Sequence, residues 1–167
     1  DPGALVVKIV LDAGYRVIPI PGASAVITAL SASGLKAKTF TFAGFVPPQA
    51  KGRKETVALY AGRNDAFVLY EAPHRIRELL KDLALVLEPA RRVVIAREVT
   101  KKFESFAPLT AGGLAAWAAE HEPRGEYVIL VDESEKKATG LDDQSLAWMR
   151  AIASELPASR TAALVSK

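Results

Sequence analysis

Val17-Ile18-Pro19-Ile20-Pro21-Gly22-Ala23-Ser24-Ala25-Val26-Ile27-Thr28-Ala29-Leu30-Ser31-Ala32-Ser33-Gly34-Leu35 changes character twice. A short β-branched run breaks at Pro21-Gly22, and small residues with apolar ones at helical spacing follow as far as Gly34. Pro21 has no N–H to give to a sheet ladder, so a strand must end there. Gly22 lets the backbone turn sharply, Ser24 suits a helix N-cap, and Gly34 suits its stop. The stretch therefore predicts a strand, a tight turn and a helix. The free N–H groups of that helix would face the carboxyl end of the strand, where ligands of open α/β sheets bind. Ala25, Ala29 and Ala32 leave one edge of the helix thin enough for a close neighbour.

Upstream, Ala4 to Ala13 reads as a helix with Leu5, Val6, Ile9 and Val10 as its buried face, Gly14 as its stop, and Tyr15 to Ile20 as a strand. One helix and one strand cannot bury their own apolar faces, so residues 1–20 are expected to need a partner outside themselves. Downstream, Thr39 to Val46 reads as a strand carrying Phe40, Phe42 and Phe45. Gln49 to Lys54 reads as a basic loop, and Glu55 to Arg63 as a helix. Ala66 to Tyr70 is a continuous apolar run, the pattern of a strand buried on both faces. A helix from His74 to Leu87 follows, with Pro73 in its first turn and Ile76, Leu79, Leu80, Leu83 and Val86 on one side. Arg92 to Ala96 is a second buried strand, and Phe103 to Phe106 a loop or short strand. Leu114 to Glu120 is an alanine-rich helix, and Glu126 to Val131 a third strong strand. Residues 132–143 read as loop, Gln144 to Leu156 as a helix, and Pro157 as the start of another. Strands alternating with helices predict an α/β fold.

The 167 residues, half hydrophobic and a quarter charged, fit one globular domain or two small lobes. Cysteine is absent, which excludes disulfides and thiolate metal sites and suits a reducing compartment. No apolar run reaches the roughly 18 residues of a membrane span and no secretory pattern opens the chain, so a cytoplasmic location without a membrane partner is expected. The net charge of +3 is compatible with a nucleic-acid partner. Asp1-Pro2-Gly3 runs straight into a helix, and Met149 is the single methionine, as expected for a piece of a longer protein.

Polar clusters stand at the ends of the expected strands: Ser24; Glu71 with His74 and Arg75; Arg97, Glu98, Thr100 and Lys101; and Arg124-Gly125-Glu126. They meet on one edge of a sheet only if the strands that end in them run parallel, and that edge would then be a binding crevice. The competing explanation for Glu71, Arg75, Arg97 and Glu98 is a set of ion pairs closing the sheet. Two histidines, His74 and His121, without a metal-binding spacing predict no metal site. No nucleophile elbow, Walker loop or Gly-x-Gly-x-x-Gly is present. Lys51, Arg53 and Lys54 could grip phosphates or be ordinary solvated surface.

Seven motifs occur in order: Asp1-Pro2-Gly3, Pro21-Gly22-Ala23-Ser24-Ala25, Ala29 to Leu35, Gly44-Phe45-Val46-Pro47, Tyr70-Glu71-Ala72-Pro73-His74-Arg75, Ala96-Arg97-Glu98-Val99-Thr100-Lys101 and Pro123-Arg124-Gly125-Glu126. Together, over roughly residues 1–133, they resemble the ribosomal RNA small-subunit methyltransferase I family of the tetrapyrrole-methylase superfamily. The resemblance implies a two-lobe α/β enzyme, homodimeric, that binds S-adenosylmethionine between its lobes and methylates a cytidine 2′-hydroxyl in small-subunit rRNA. Residues 1–20 would be the remnant of the first lobe, 21–35 the connecting turn and helix, 36–133 a complete second α/β lobe with a mixed sheet, and 134–167 an incomplete C-terminal helical tail. Carried over residue by residue, the cofactor neighbours are Ser24, Ala25, Tyr70, Glu71, Val99, Thr100, Gly125 and Glu126. A 2′-hydroxyl benefits from a base or a nearby cation, for which Glu71, Glu98 and Lys101 are candidates. Lys51, Arg53 and Arg75 are candidates for holding rRNA phosphates. Because the family carries further cofactor-binding segments before Asp-Pro-Gly, these 167 residues are expected to be inactive alone. The alternatives are a corrin or porphyrin-precursor methylase and a non-catalytic binding or dimerisation module.

Overall fold

The computed structural model describes residues 3–63 and 65–135, together with 147, 148, 150 and 151. Five strands, β1 (Phe40–Phe45), β2 (Ala66–Glu71), β3 (Arg92–Arg97), β4 (Ser105–Thr110) and β5 (Tyr127–Val131), form one sheet in the order β1-β2-β5-β3-β4. β1 and β2 pair in parallel, and β5 pairs antiparallel with both β2 and β3, so β1, β2 and β3 point the same way. β4 runs back along β3 as an edge strand. The sheet is mixed, as expected for the second lobe. The carboxyl ends of β1–β3 and the amino ends of β4 and β5 share what we call the upper edge.

The helices are α1 (Gly3–Asp12), α2 (Ala25–Ser33), α3 (Ala50–Gly62), α4 (Ile76–Val86) and α5 (Leu114–Glu120), the last entered through a 3₁₀ turn over Ala111–Gly113. α3, α4 and α5 cover one face. There Val57, Leu79, Leu80, Leu83 and Leu114 pack on Phe67, Leu69, Val93, Ile95 and Ile129. On the other face α2 lays Val26 and Ala29 over Val68, Val94, Ala96, Val128 and Leu130. β2, β3 and β5 are thus buried on both sides, which is why they read as unbroken apolar runs. Each fully buried Leu, Ile or Phe contributes about 1.5–3 kcal/mol, so this double-sided core dominates the stability.

α2 ends at Gly34 in the left-handed region, φ 63°, as its sequence predicts. Its end is tied to the lower edge: Arg92 Nη2 donates to the Ser33 carbonyl (3.2 Å) and the Lys36 N–H to Asp132 Oδ2 (3.4 Å). The start of α2 therefore points to the upper edge.

The structure corrects three expectations. α1 forms, but none of its residues is buried; Leu5, Val6, Ile9 and Leu11 are all more than half exposed, as befits a helix that needs a partner outside residues 1–20. Tyr15 to Ile20 makes no strand, since no sheet edge lies beside it to accept a ladder. The basic segment after Pro48 is not a loop but the first turn of α3, because Arg53, Val57 and Ala61 recur at four-residue spacing and turn one face inward. In β1, Phe45 sits three residues after Phe42, yet both rings stand against Tyr70. A bulge between Phe42 and Gly44, with Gly44 at φ 68°, resets the alternation. The helix expected over Gln144 to Leu156 is helical at 147, 148, 150 and 151; its other residues and the segment from Pro157 lie outside the described residues.

Candidate functional site at the upper edge of the sheet

Register places Glu71 opposite Tyr127, Tyr127 opposite Arg97, and Arg97 opposite Ser105, in one row along the upper edge. The polar strand ends thus converge. The loop after β3 is held open by two residues in the left-handed region, Glu98 (φ 51°) and Thr100 (φ 66°), a costly conformation for non-glycine residues. A set of bonds to the start of β5 over-determines it. Glu98 Oε1 accepts from the Glu126 N–H (2.9 Å) and from Lys101 Nζ (3.0 Å), and Lys101 Nζ also reaches Glu126 Oε2 (2.8 Å). The Glu98 N–H donates to the Glu126 carbonyl (2.9 Å), and the Thr100 N–H to Glu104 Oε2 (2.6 Å). Gly125, at φ 80°, makes this clasp possible, because a Cβ there would lie 2.5 Å from Glu98 Cγ.

The clasp fixes charge. The Glu98 carboxyl is held below its ordinary value chiefly by the Glu126 N–H and then by Lys101. The Lys101 ammonium is held above its ordinary value by Glu126 and then by Glu98. Both groups thus stay charged, and neither is tuned to take a proton near neutrality.

Glu71 is differently placed. Its side chain turns to the face covered by α3–α5 and is fully buried, with Oε1 accepting from the Ala72 N–H (2.9 Å) and Oε2 3.1 Å from Arg75 Nη2. Arg75 in turn donates to the Val46 carbonyl (2.6 Å), so both hold the turn after β2 against the end of β1. In the structure Glu71 and Arg75 are an ion pair closing this sheet edge, with Arg75 turned to the end of β1 rather than outward. Arg53 is also turned inward: buried in α3, it donates Nε to Asp82 Oδ2 at 2.7 Å. Lys51, exposed in the first turn of α3, remains at the upper edge.

The other candidates gather on the α2 side. Tyr70 and Val99 belong to the cluster of Val26 and Ala29, and Ser24 and Ala25 start the same helix above them. Ser24 takes an N-cap backbone, φ −130° and ψ 120°, but its side chain makes no capping bond, correcting the expectation that its hydroxyl caps α2. The first-turn N–H groups of α2 are therefore left for a ligand or water. Among the described residues no group of three His, Cys, Asp or Glu could hold a metal. Sequence reasoning did not find the ring cluster of Trp117, His121 and Tyr127 beside this edge; the alanine-rich helix hid the 117/121 spacing that stacks two rings.

A family model for tetrapyrrole (corrin/porphyrin) methylases matches residues 1–115. The chain belongs to the tetrapyrrole methylase family. Relatives named ribosomal RNA small subunit methyltransferase I are 42% identical in Vibrio cholerae and 37% in Escherichia coli, each aligned over all of this chain and 59% of the relative. One in Bacillus subtilis is 38% identical over 93% of the chain and 52% of its own length. This family member thus spans about three-fifths of the length of the curated relatives it matches. The fold agrees with solved structures: the methyltransferase CobJ has a TM-score of 0.58 at 21% identity, covering 84% of this chain and 64% of that one. A uroporphyrin-III C-methyl transferase from Thermus thermophilus, complexed with S-adenyl homocysteine, has a TM-score of 0.53 at 20% identity, covering 78% and 59%.

Proposed function

We propose that the upper edge is half of an S-adenosylmethionine site, in a protein that methylates a cytidine 2′-hydroxyl of small-subunit rRNA. The observation that carries this reading is the convergence on one edge of the uncapped start of α2, the Tyr70 and Val99 side chains, and the Glu98–Lys101–Glu126 clasp. The names of the relatives support small-subunit rRNA as the methylated molecule, and the ligand of the Thermus thermophilus enzyme supports the cofactor.

The residues present fit such a cofactor. The bare N–H groups of α2 suit a carboxylate, Tyr70 and Val99 give an apolar wall, and Thr100, Gly125 and Glu126 present polar backbone and a carboxylate beside it. Glu71 supports this wall from beneath rather than touching a ligand. When bound, S-adenosylmethionine supplies an electrophilic methyl group on a sulfonium centre. The chain positions, excludes water and stabilises charge, with Lys101 as the cation of the clasp. Lys51 is placed to meet an rRNA phosphate. Residues 1–20 belong to a first lobe, 21–35 to the connection, 36–133 to the second lobe, and 134–167 to a tail. Because the relatives are much longer, transfer requires more than these 167 residues. The exposed apolar side chains of α1 and Phe40, Phe42 and Phe45 favour burial against that lobe or a second copy.

Methyl transfer by the intact protein from radiolabelled S-adenosylmethionine to small-subunit rRNA, mapped by resistance of the modified position to alkali, tests the proposal. Label on a cytidine ribose is expected. Label on a base, or only on a tetrapyrrole precursor offered in parallel, would refute the acceptor.

A further inference from the structure

A cavity of about 410 Å³ opens where the upper edge meets α5, away from the α2 side assigned to the cofactor. Trp117, His121 and Tyr127 supply its rings, and Arg97 and Arg124 its cations. His121 lies flat on Trp117, with centroids 4.3 Å apart and planes 10° apart, and the Trp117 carbonyl is 2.9 Å from His121 Nδ1. Tyr127 stands edge-on to Trp117 at 6.5 Å, which fixes the indole from behind. The result is a rigid stack whose outer ring, His121, is exposed. Arg97 donates Nε to the Arg124 carbonyl (2.7 Å), which holds its guanidinium beside the stack. Arg124 is three-quarters exposed and meets Glu122 at 2.7 Å, a surface pair weak enough to be exchanged for a stronger anion.

Flat rings next to mobile and fixed guanidinium groups, in a space of nucleotide size, match the way proteins take unstacked RNA bases. Arg97 and Tyr127 also stand in the edge row with Glu71, and Arg97 and Arg124 lie next in sequence to the Glu98 and Gly125 of the clasp, so the cavity opens on the same upper edge. We infer that this cavity binds one nucleotide of single-stranded RNA flanking the target, its base extending the Trp117–His121 stack and its phosphate held by Arg124 and Arg97. The inference rests on the rRNA reading.

The test is fluorescence-anisotropy titration of a mixed-sequence single-stranded RNA octamer with the 167-residue chain over a range of salt, beside calorimetry with S-adenosylhomocysteine. His121→Ala, at an exposed position, is expected to weaken RNA binding roughly ten-fold, and His121→Phe to restore most of it. Arg124→Gln is expected to lower the salt dependence by about one phosphate contact. Cofactor binding should be unchanged in all three. RNA affinity equal to that of the unaltered chain in both His121→Ala and Arg124→Gln would overturn the inference and leave the rRNA reading standing. Failure of the unaltered chain to bind the octamer at low salt, with S-adenosylhomocysteine still bound, would overturn both.

Discussion

Arg91 at the lower edge of this sheet and the Glu98–Lys101–Glu126 clasp at its upper edge use charge in opposite ways. At the lower edge Arg91 is buried and spreads its guanidinium over three backbone carbonyls: Nε to Asp132 (2.8 Å), Nη1 to Ala61 (3.1 Å) and Nη2 to Asp65 (2.8 Å). Burial pushes its pKa down, against the raising effect of Glu88, Asp132 and Asp65, and an arginine remains charged regardless. At the upper edge the charged groups of the clasp meet each other, the backbone enters left-handed conformations, and a helix start is left uncapped. Charges bonded to main-chain carbonyls stitch elements together. Charges held in a strained, over-determined loop beside unused donors mark a site.

That contrast can be broken by substitution. Arg91→Met should have the largest effect, about 4 kcal/mol of stability, since three buried carbonyls lose their donor. Chemical denaturation should show it, while the folded fraction binds S-adenosylhomocysteine with unchanged affinity. Arg53→Ala should cost about 3 kcal/mol by leaving Asp82 buried and unpaired. The salt dependence of RNA binding should not change, because Arg53 meets no phosphate. Gly125→Val should cost about 2 kcal/mol through its positive φ and the clash with Glu98. Unlike the first two, it should weaken S-adenosylhomocysteine by more than its shift in melting temperature explains.

The smallest effect belongs to pH. Glu98 titrates lower in the folded chain than its ordinary 4.5, so its contribution is complete above about that pH and disappears as pH falls through the lower folded value. Lys101 titrates above its ordinary 10.5, so its contribution holds below that pH and disappears as pH rises through the raised value. Lys101 is exposed and Glu98 partly so, so the effect is modest and should shrink in high salt. Melting temperatures of the unaltered chain and of Lys101→Met should converge at both pH extremes and differ between them.

Much of the fold was legible because its signals are local and redundant. The runs Ala66–Tyr70, Arg92–Ala96 and Tyr127–Val131 could be buried strands and little else, and Gly34 ends α2 as its type requires. What failed depended on partners. Leu5, Val6 and Ile9 have helical spacing, but periodicity does not say whether a neighbour exists to cover them. Arg53 looked like one of three loop cations, and only the inward face of α3 separates it from exposed Lys51. Glu71 and Arg97 share a row with Tyr127, which depends on β5 inserting antiparallel between β2 and β3, a register no single strand announces. The Trp117–His121 stack was legible only as a four-residue spacing inside an alanine-rich helix.

Calorimetric titration of S-adenosylhomocysteine into the 167-residue chain and its Ser24→Trp variant tests the assignment of the upper edge most directly. The account predicts saturable binding by the unaltered chain that the variant loses, because the indole covers the bare start of α2. Binding that Ser24→Trp leaves intact, or no binding to the unaltered chain, would contradict it.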